Sequence, residues 1–259
     1  MKIRGTMAWL LAAVACGMAT ARADTQAPAV EPDYVAPAAS LPPERVQALQ
    51  QRLLDWPGLA RYRDDNARLP PRAPGRVVFY GDSITDGWGR VPGTTFFPGK
   101  PYVNRGISGQ TTAQMLVRFR QDVVALHPEV VVILAGTNDI AGNTGPATQA
   151  MIEDNLRSMA QLAQANGIRV VLASVLPASA YPWRPGYRPA DRIRALNRWI
   201  AGYARETGAV YLDYHGAMAN AEGGLDAALA ADGVHPTPAG YAVMAPLAQR
   251  AIDEAREGK

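Results

Sequence analysis

Val130-Val131-Val132-Ile133-Leu134, running straight into Ala135-Gly136-Thr137-Asn138-Asp139, decides the fold. Five successive branched apolar residues show neither helical spacing nor alternation, so they read as a strand covered on both faces. Working outward, residues 76–80 hold a similar run, Val77-Val78-Phe79-Tyr80, ending at Gly81. Weaker strands are expected over residues 102–104, 170–174 and 210–213. Between them lie helical patterns. Residues 112–126 form one. Residues 148–166 form another, with Ile152, Leu156, Met159 and Leu162 on one face and Gly167 as its stop. Residues 190–207 end at Gly208, and residues 237–257 begin with the cap-like pair Thr237-Pro238. Strands and helices that alternate in this way predict a three-layer α/β/α sandwich with a mostly parallel central sheet of about five strands. No internal repeat interrupts it. In such sheets ligands bind beyond the carboxyl ends of the strands, which selects the loops to search.

The chain has 259 residues, a length suited to one domain with a full core. Its first residues carry Lys2 and Arg4, then an apolar run from Met7 to Ala19, then Ala21-Arg22-Ala23. That is the pattern of a secretory signal peptide over residues 1–23, too short in its apolar part for a permanent membrane anchor. Periplasmic or extracellular localisation follows as an expectation. Residues 1–23 contain three cations and no acid, so the formal charge of +3 falls to zero without them. A neutral mature chain gives no electrostatic case for nucleic acid. The single cysteine, Cys16, lies within the signal, which leaves the mature chain without disulfides or thiolate metal sites. An alternative makes Cys16 the lipid-bearing residue of a lipoprotein. Residues 24–43, rich in Ala and Pro, read as a flexible lead-in. Residues 44–259 then form a single domain, with its core over 76–257. It opens with an N-terminal helical extension, in which Val46, Leu49, Leu53 and Leu54 share one face that packs on the domain.

Four strand-end segments carry polar residues: Gly81-Asp82-Ser83, residues 104–112, Gly136-Thr137-Asn138-Asp139, and Asp232-Gly233-Val234-His235. Ser83 sits on a glycine-flanked turn between a strand and a helix. A serine there is a nucleophile if a base takes its proton, and a plain helix cap if none does. Of the three histidines, His127 precedes a strand and lies at the wrong end of the sheet. His215 follows the fifth strand and is a rival base. His235 has Asp232 three residues before it, so one tight turn can set a carboxylate against one ring nitrogen and free the other for Ser83. Gly109 offers an unshielded backbone N–H, and Asn138 a side-chain amide, as donors to a developing oxyanion. Gly106 is an alternative to Gly109, and Ser108 a second serine without such surroundings. Asp82, Asp86 and Asp139 are expected to hold loops. Read singly, each residue also fits an ordinary turn.

Taken together, these segments resemble the SGNH hydrolase superfamily, the GDSL-type esterases and lipases. G-D-S is matched by Gly81-Asp82-Ser83, with Ile84 where the namesake leucine stands. The second-block glycine is matched by Gly109, G-x-N-D by residues 136–139, and D-x-x-H by residues 232–235, in family order over residues 76–250. The resemblance implies a flavodoxin-like SGNH hydrolase fold and a catalytic triad of Ser83, Asp232 and His235. It also implies an oxyanion hole from Ser83, Gly109 and Asn138, and no metal or organic cofactor. The absence of a G-x-S-x-G elbow disfavours the larger α/β-hydrolase family. Residues 180–188 lie at the active end of the sheet, and Trp183, Arg184 and Tyr187 are candidate substrate contacts. The expected activity is an exported serine esterase for short-chain esters, with acetylated carbohydrate as the leading substrate. The alternatives are a broad arylesterase or lysophospholipase, an acyltransferase with the same triad, and a non-catalytic carbohydrate-binding domain.

Overall fold

In the computed structural model, which describes residues 42–258, every position of the strand Val130–Leu134 (β3) is buried. It is the middle of a five-stranded sheet, flanked by Val77–Gly81 (β1) and Arg169–Ala173 (β4), with Tyr102–Gly106 (β2) and Val210–Leu212 (β5) at the edges. The order is β2-β1-β3-β4-β5 and every neighbouring pair is parallel. The expected sheet is therefore present, and wholly rather than mostly parallel.

Successive side chains of a strand point to opposite faces, so each strand supplies two half-cores. Val78 and Tyr80 of β1, Val131 and Ile133 of β3, and Val170 and Leu172 of β4 face one side. Three helices cover that side: Thr112–Asp122 (α4), Gln149–Ala165 (α6) and Ala190–Thr207 (α7), through residues such as Phe119, Met159 and Ile200. The intervening residues Val77, Phe79, Val130, Val132 and Val171 meet the long last helix, Pro238–Glu257 (α9), through Tyr241, Met244, Ala248 and Ile252. Local signals set the helix ends. The Gln114 side chain accepts the Thr111 N–H at the start of α4, and the Thr237 hydroxyl accepts the Gly240 N–H at the start of α9. Gly208, at φ +71°, stops α7.

Short helices complete the strand-end loops: Ser83–Gly87 (α3), Thr137–Ala141 (α5) and Tyr214–Met218 (α8). Two more precede the sheet, Pro43–Leu54 (α1) and Arg63–Arg68 (α2). In α1 the structure departs from expectation. The helix forms, but Leu53 is 73% exposed and Leu54 88%. Its apolar face borders an open groove instead of packing down, because attachment comes from the segment that follows it. Gln114 and Gln110 side-chain amides donate to the Trp56 and Pro57 carbonyls, and Gln121 to that of Leu59. Among the described residues no helix is long and apolar enough to cross a membrane. The proposed signal peptide and residues 24–41 of the lead-in lie outside the described residues.

Candidate active site

β1 ends at Gly81, where a Cβ would stand 2.2 Å from the Thr85 hydroxyl, so only glycine lets the chain turn into α3. Asp82 caps that turn, its carboxylate accepting the Ile84 N–H at 3.0 Å. Ser83 is the first residue of α3 and half-buried. Its Oγ lies 2.9 Å from His235 Nε2. The other ring nitrogen, Nδ1, lies 2.7 Å from Asp232 Oδ2. Asp232 Oδ1 accepts the backbone N–H of Val234 at 2.9 Å and of His235 at 2.7 Å. The tight turn thus fixes the carboxylate before it meets the ring. Gly233, at φ +77°, makes this turn possible. Partial burial pushes the Asp232 carboxyl up, but the hydrogen bonds from the His235 ring and from the two backbone N–H groups outweigh it. The group is held below its ordinary value and stays charged beside the imidazole.

The rival residues fall elsewhere. His127, at φ +49°, closes the turn before β3. His215 lies in the first turn of α8 and borders a separate pocket with Arg194, Arg198, Tyr211 and Asp213. Ser108 donates its hydroxyl to Asp86 at 2.8 Å, and Asp86 pairs with Arg90 at 2.7 Å. Gly106 has its N–H committed to Asn104 Oδ1 at 2.9 Å, and a Cβ there would stand 2.1 Å from the Asp86 nitrogen. Gly109 is the opposite case: at φ +79°, it has nothing within 4 Å of where a Cβ would stand. Its backbone borders a cavity of about 400 Å³ shared with Ser83, Asn138, Asn143, Trp183 and His235.

Asn138 is buried, 2% exposed, in the first turn of α5. One of its amide hydrogens goes to the Gln110 carbonyl at 2.9 Å, and its oxygen accepts from Asn143 Nδ2 at 2.7 Å. Its neighbour Asp139 accepts the Thr112 N–H at 3.0 Å and hydroxyl at 2.5 Å, tying α5 to the start of α4. Behind the site lies Arg118, wholly buried. It donates to the Gly81 and Arg105 carbonyls at 3.1 and 2.9 Å, to Gln110 Oε1 at 2.6 Å and to Asp122 Oδ2 at 3.1 Å. It therefore clamps the ends of β1 and β2 and the glycine loop together. Tyr241, from α9, closes the floor by donating to the Ile84 carbonyl at 2.7 Å. Gln110, Arg118, Asn143 and Tyr241 were not singled out in the sequence; a polar residue in a turn or on a helix carries no local mark of a buried partner.

Of the three candidate substrate contacts, only Trp183 borders the cavity, its ring 6.0 Å from that of His235. Arg184 lies 3.9 Å over the Tyr187 ring and donates to the Ile140 carbonyl at 3.3 Å. Tyr187 accepts from Arg192 at 3.2 Å. Both make contacts within the loop and do not border the cavity that Trp183 borders.

Burial pushes the Asp82 carboxyl up to about 7, with the Ile84 N–H and His235 acting against it. Burial likewise raises Asp139 to about 6, against the Thr112 hydrogen bonds. Unfolded, both titrate near about 3.9. Between that value and the folded one, the folded chain holds protons the unfolded chain has lost. Stability therefore falls as pH rises through this window, by at most about 1.4 kcal/mol per pH unit for each group. Asp82→Asn keeps a capping side chain and should flatten this slope. Urea titrations of both proteins from pH 5 to 8 check it; identical slopes would refute the assignment to Asp82.

The parallel sheet and the array at its carboxyl edge define an SGNH hydrolase. The chain belongs to the GDSL-like Lipase/Acylhydrolase family, whose model matches residues 79–243. A GDSL-like lipase of known structure from Bacteroides thetaiotaomicron is 43% identical and superimposes with a TM-score of 0.73, over 77% of this chain and 98% of that one. Esterase TesA of Pseudomonas aeruginosa is 34% identical over 52% of this chain; the match spans only 60% of that relative. An acetylxylan esterase of Geobacillus stearothermophilus is 28% identical, over 66% of this chain and 90% of that one.

Proposed function

We propose that this chain is a serine esterase that cleaves short-chain carboxylic esters through an acyl-enzyme, with acetylated carbohydrate as its leading substrate. The observation that carries the reading is the continuous line Ser83 Oγ, His235 Nε2, His235 Nδ1, Asp232 Oδ2, at 2.9 and 2.7 Å, opening on the cavity that Gly109 and Asn138 also border. Ser83 Oγ attacks the ester carbonyl and its proton passes to Nε2. Asp232 orients the ring and stabilises its charged form. The carbonyl oxygen, now negative, is held by the Ser83 and Gly109 N–H groups and the remaining Asn138 amide hydrogen. On collapse, His235 returns the proton to the leaving alcohol oxygen. Water, deprotonated by the same ring, then releases the acid and restores Ser83.

Trp183, 43% exposed beside His235, offers a flat apolar face of the kind that stacks on a sugar ring. The similarity to an acetylxylan esterase supports the same substrate class. A specific observation favours a second reading. A larger cavity of about 700 Å³, bordered by Leu49, Leu53 and Trp56, adjoins the first through Ser108, Gly109 and Asn143. That apolar wall suits an arylesterase or lysophospholipase.

Four experiments test the proposal. A phosphonylating reagent such as a p-nitrophenyl phosphonate should mark Ser83, located by peptide mass spectrometry; labelling elsewhere would sink the nucleophile. Turnover of p-nitrophenyl esters from acetate to palmitate separates the substrate readings. Activity confined to the shortest chains, with acetate released from acetylated xylo-oligosaccharides, supports the first, and an optimum at medium chains the second. Asn138→Ala should lower kcat by about 10²–10³-fold with little change in KM, as loss of one oxyanion donor does. Export through residues 1–23 belongs to the same proposal; the mature protein should begin at Asp24, read by intact mass.

A further inference from the structure

The two asparagines Asn138 and Asn143 sit between groups whose hydrogen-bonding sense is fixed. At one end, the indole nitrogen of Trp183 can only donate, and it donates to Asn143 Oδ1 at 3.1 Å. At the other, the Gln110 carbonyl can only accept, and it accepts from Asn138 Nδ2 at 2.9 Å. Only one arrangement of the two intervening amides satisfies both ends. Asn143 turns its oxygen to Trp183 and its nitrogen to Asn138 Oδ1, at 2.7 Å. Asn138 must then point its nitrogen away from Asn143, with one hydrogen on Gln110 and the other toward the cavity. The backbone reinforces this: Gly142, at φ +75°, ends α5, and the Asn143 N–H returns to the Asn138 carbonyl at 2.9 Å.

We propose that Asn143 is a positioning residue that sets the orientation of the Asn138 amide, and that Trp183 ties this setting to the loop bordering the substrate cavity. The relay rests on the serine-esterase reading. It gives Trp183 two functions, a face for substrate and an N–H that polarises the line. Through it, a substrate that moves the indole also moves the donor that meets the oxyanion.

The decisive variant is Asn143→Asp, which keeps size and shape. A carboxylate still accepts from Trp183 but cannot donate to Asn138 Oδ1. Two oxygens would face each other, one of them charged; this repulsion outweighs the single neutral hydrogen bond to the Gln110 carbonyl, so the Asn138 amide turns over and presents its oxygen to the cavity. The expected result is a fall in kcat for p-nitrophenyl acetate of about 10²-fold with KM little changed, the scale of a lost oxyanion donor. Inhibition by phenylboronic acid, whose tetrahedral adduct on Ser83 places an anionic oxygen in the same position, should weaken by the same factor. Trp183→Phe removes only the outer N–H and keeps the ring. Gln110 still holds Asn138 there, so kcat should fall by a smaller factor, on the order of 3–10-fold, within the range for outer hydrogen-bond partners. Asn143 is exposed, so thermal midpoints should stay near that of the parent. Asn143→Asp with kcat and boronate affinity within twofold of the parent would overturn the relay. Full activity in Asn138→Ala would also overturn it, while leaving the serine-esterase reading standing on Ser83. A fall in activity matched by a fall in thermal midpoint, with boronate affinity retained, would mark Asn143 as merely structural and overturn the assignment.

Discussion

On the proposed serine mechanism, Ser83→Ala is expected to lower kcat for p-nitrophenyl acetate by about 10⁴-fold or more, since removing a triad nucleophile leaves only binding and oxyanion stabilisation. The Ser83 hydroxyl meets His235 at the rim of the sheet, so the fold should survive the change. The same dependence predicts non-additivity. His235→Ala alone should cost about as much, and the double variant little more than either, because the nucleophile and its base act as one unit. Asp232→Asn leaves the turn in place but offers an N–H where the ring needs an acceptor. Its loss should also reach about 10⁴-fold, by misorienting the imidazole. Initial rates for the four variants, measured beside the parent, check all of this. Parent-like turnover in Ser83→Ala would remove Ser83 as nucleophile. Multiplicative losses in the double variant would mean that the two residues act separately.

The largest effect on stability is expected at Arg118, far from any solvent. Arg118→Met removes a buried guanidinium and leaves Asp122, also wholly buried, without that partner, together with the Gly81 and Arg105 carbonyls and Gln110 Oε1. Breaking a buried pair in this one-sided way costs about 3–5 kcal/mol. In a domain of this size each kcal/mol moves the thermal midpoint by about 2–4 °C, so a fall on the order of 10 °C is expected. The companion variant Arg118→Met/Asp122→Leu should recover part of the loss, because no buried charge is then left alone. Thermal melts and urea titrations measure both. A midpoint within about 2 °C of the parent for the single variant would show that the clamp carries no net stability. Activity should fall as well, since Arg118 holds Gln110 and Gly81, the supports of the glycine loop and of Ser83.

How much of this was legible beforehand depended on what each residue's partners are. Val130–Leu134 announced itself because a strand covered on both faces is apolar at every step. β2 read weakly because it is an edge strand, and its Arg105 is buried against the Tyr62 ring, 4.7 Å away, a partner 43 positions earlier that no local pattern reveals. α1 showed a helical spacing of leucines, and the helix exists, but spacing reports a face and not what covers it. In the site, Ser83, Asp232 and His235 carry local marks, a glycine-flanked turn and a carboxylate three residues from a histidine, whereas Gly109 and Asn138 read singly as ordinary turns and are picked out by the resemblance to the family. Asn143 and Gln110 did not stand out, because their meaning lies in the direction of an amide set by distant groups. Arg184 and Tyr187 share a loop with Trp183, but only Trp183 borders the cavity, because in a sequence a side chain turned to its own loop looks the same as one turned to a ligand.

The two halves of the site are 152 positions apart in the chain, Ser83 after the first strand and His235 before the last helix. Contacts of such long sequence separation form slowly, and the His235 turn leads directly into α9, so seating of the triad is expected to follow docking of that helix on the sheet. Activity is therefore expected to be the last property a refolding chain acquires. After dilution from urea, helical circular dichroism should return first and esterase activity should lag behind it. On the proposed mechanism, a chain in which α9 has not docked has no seated His235 and should not turn over an ester.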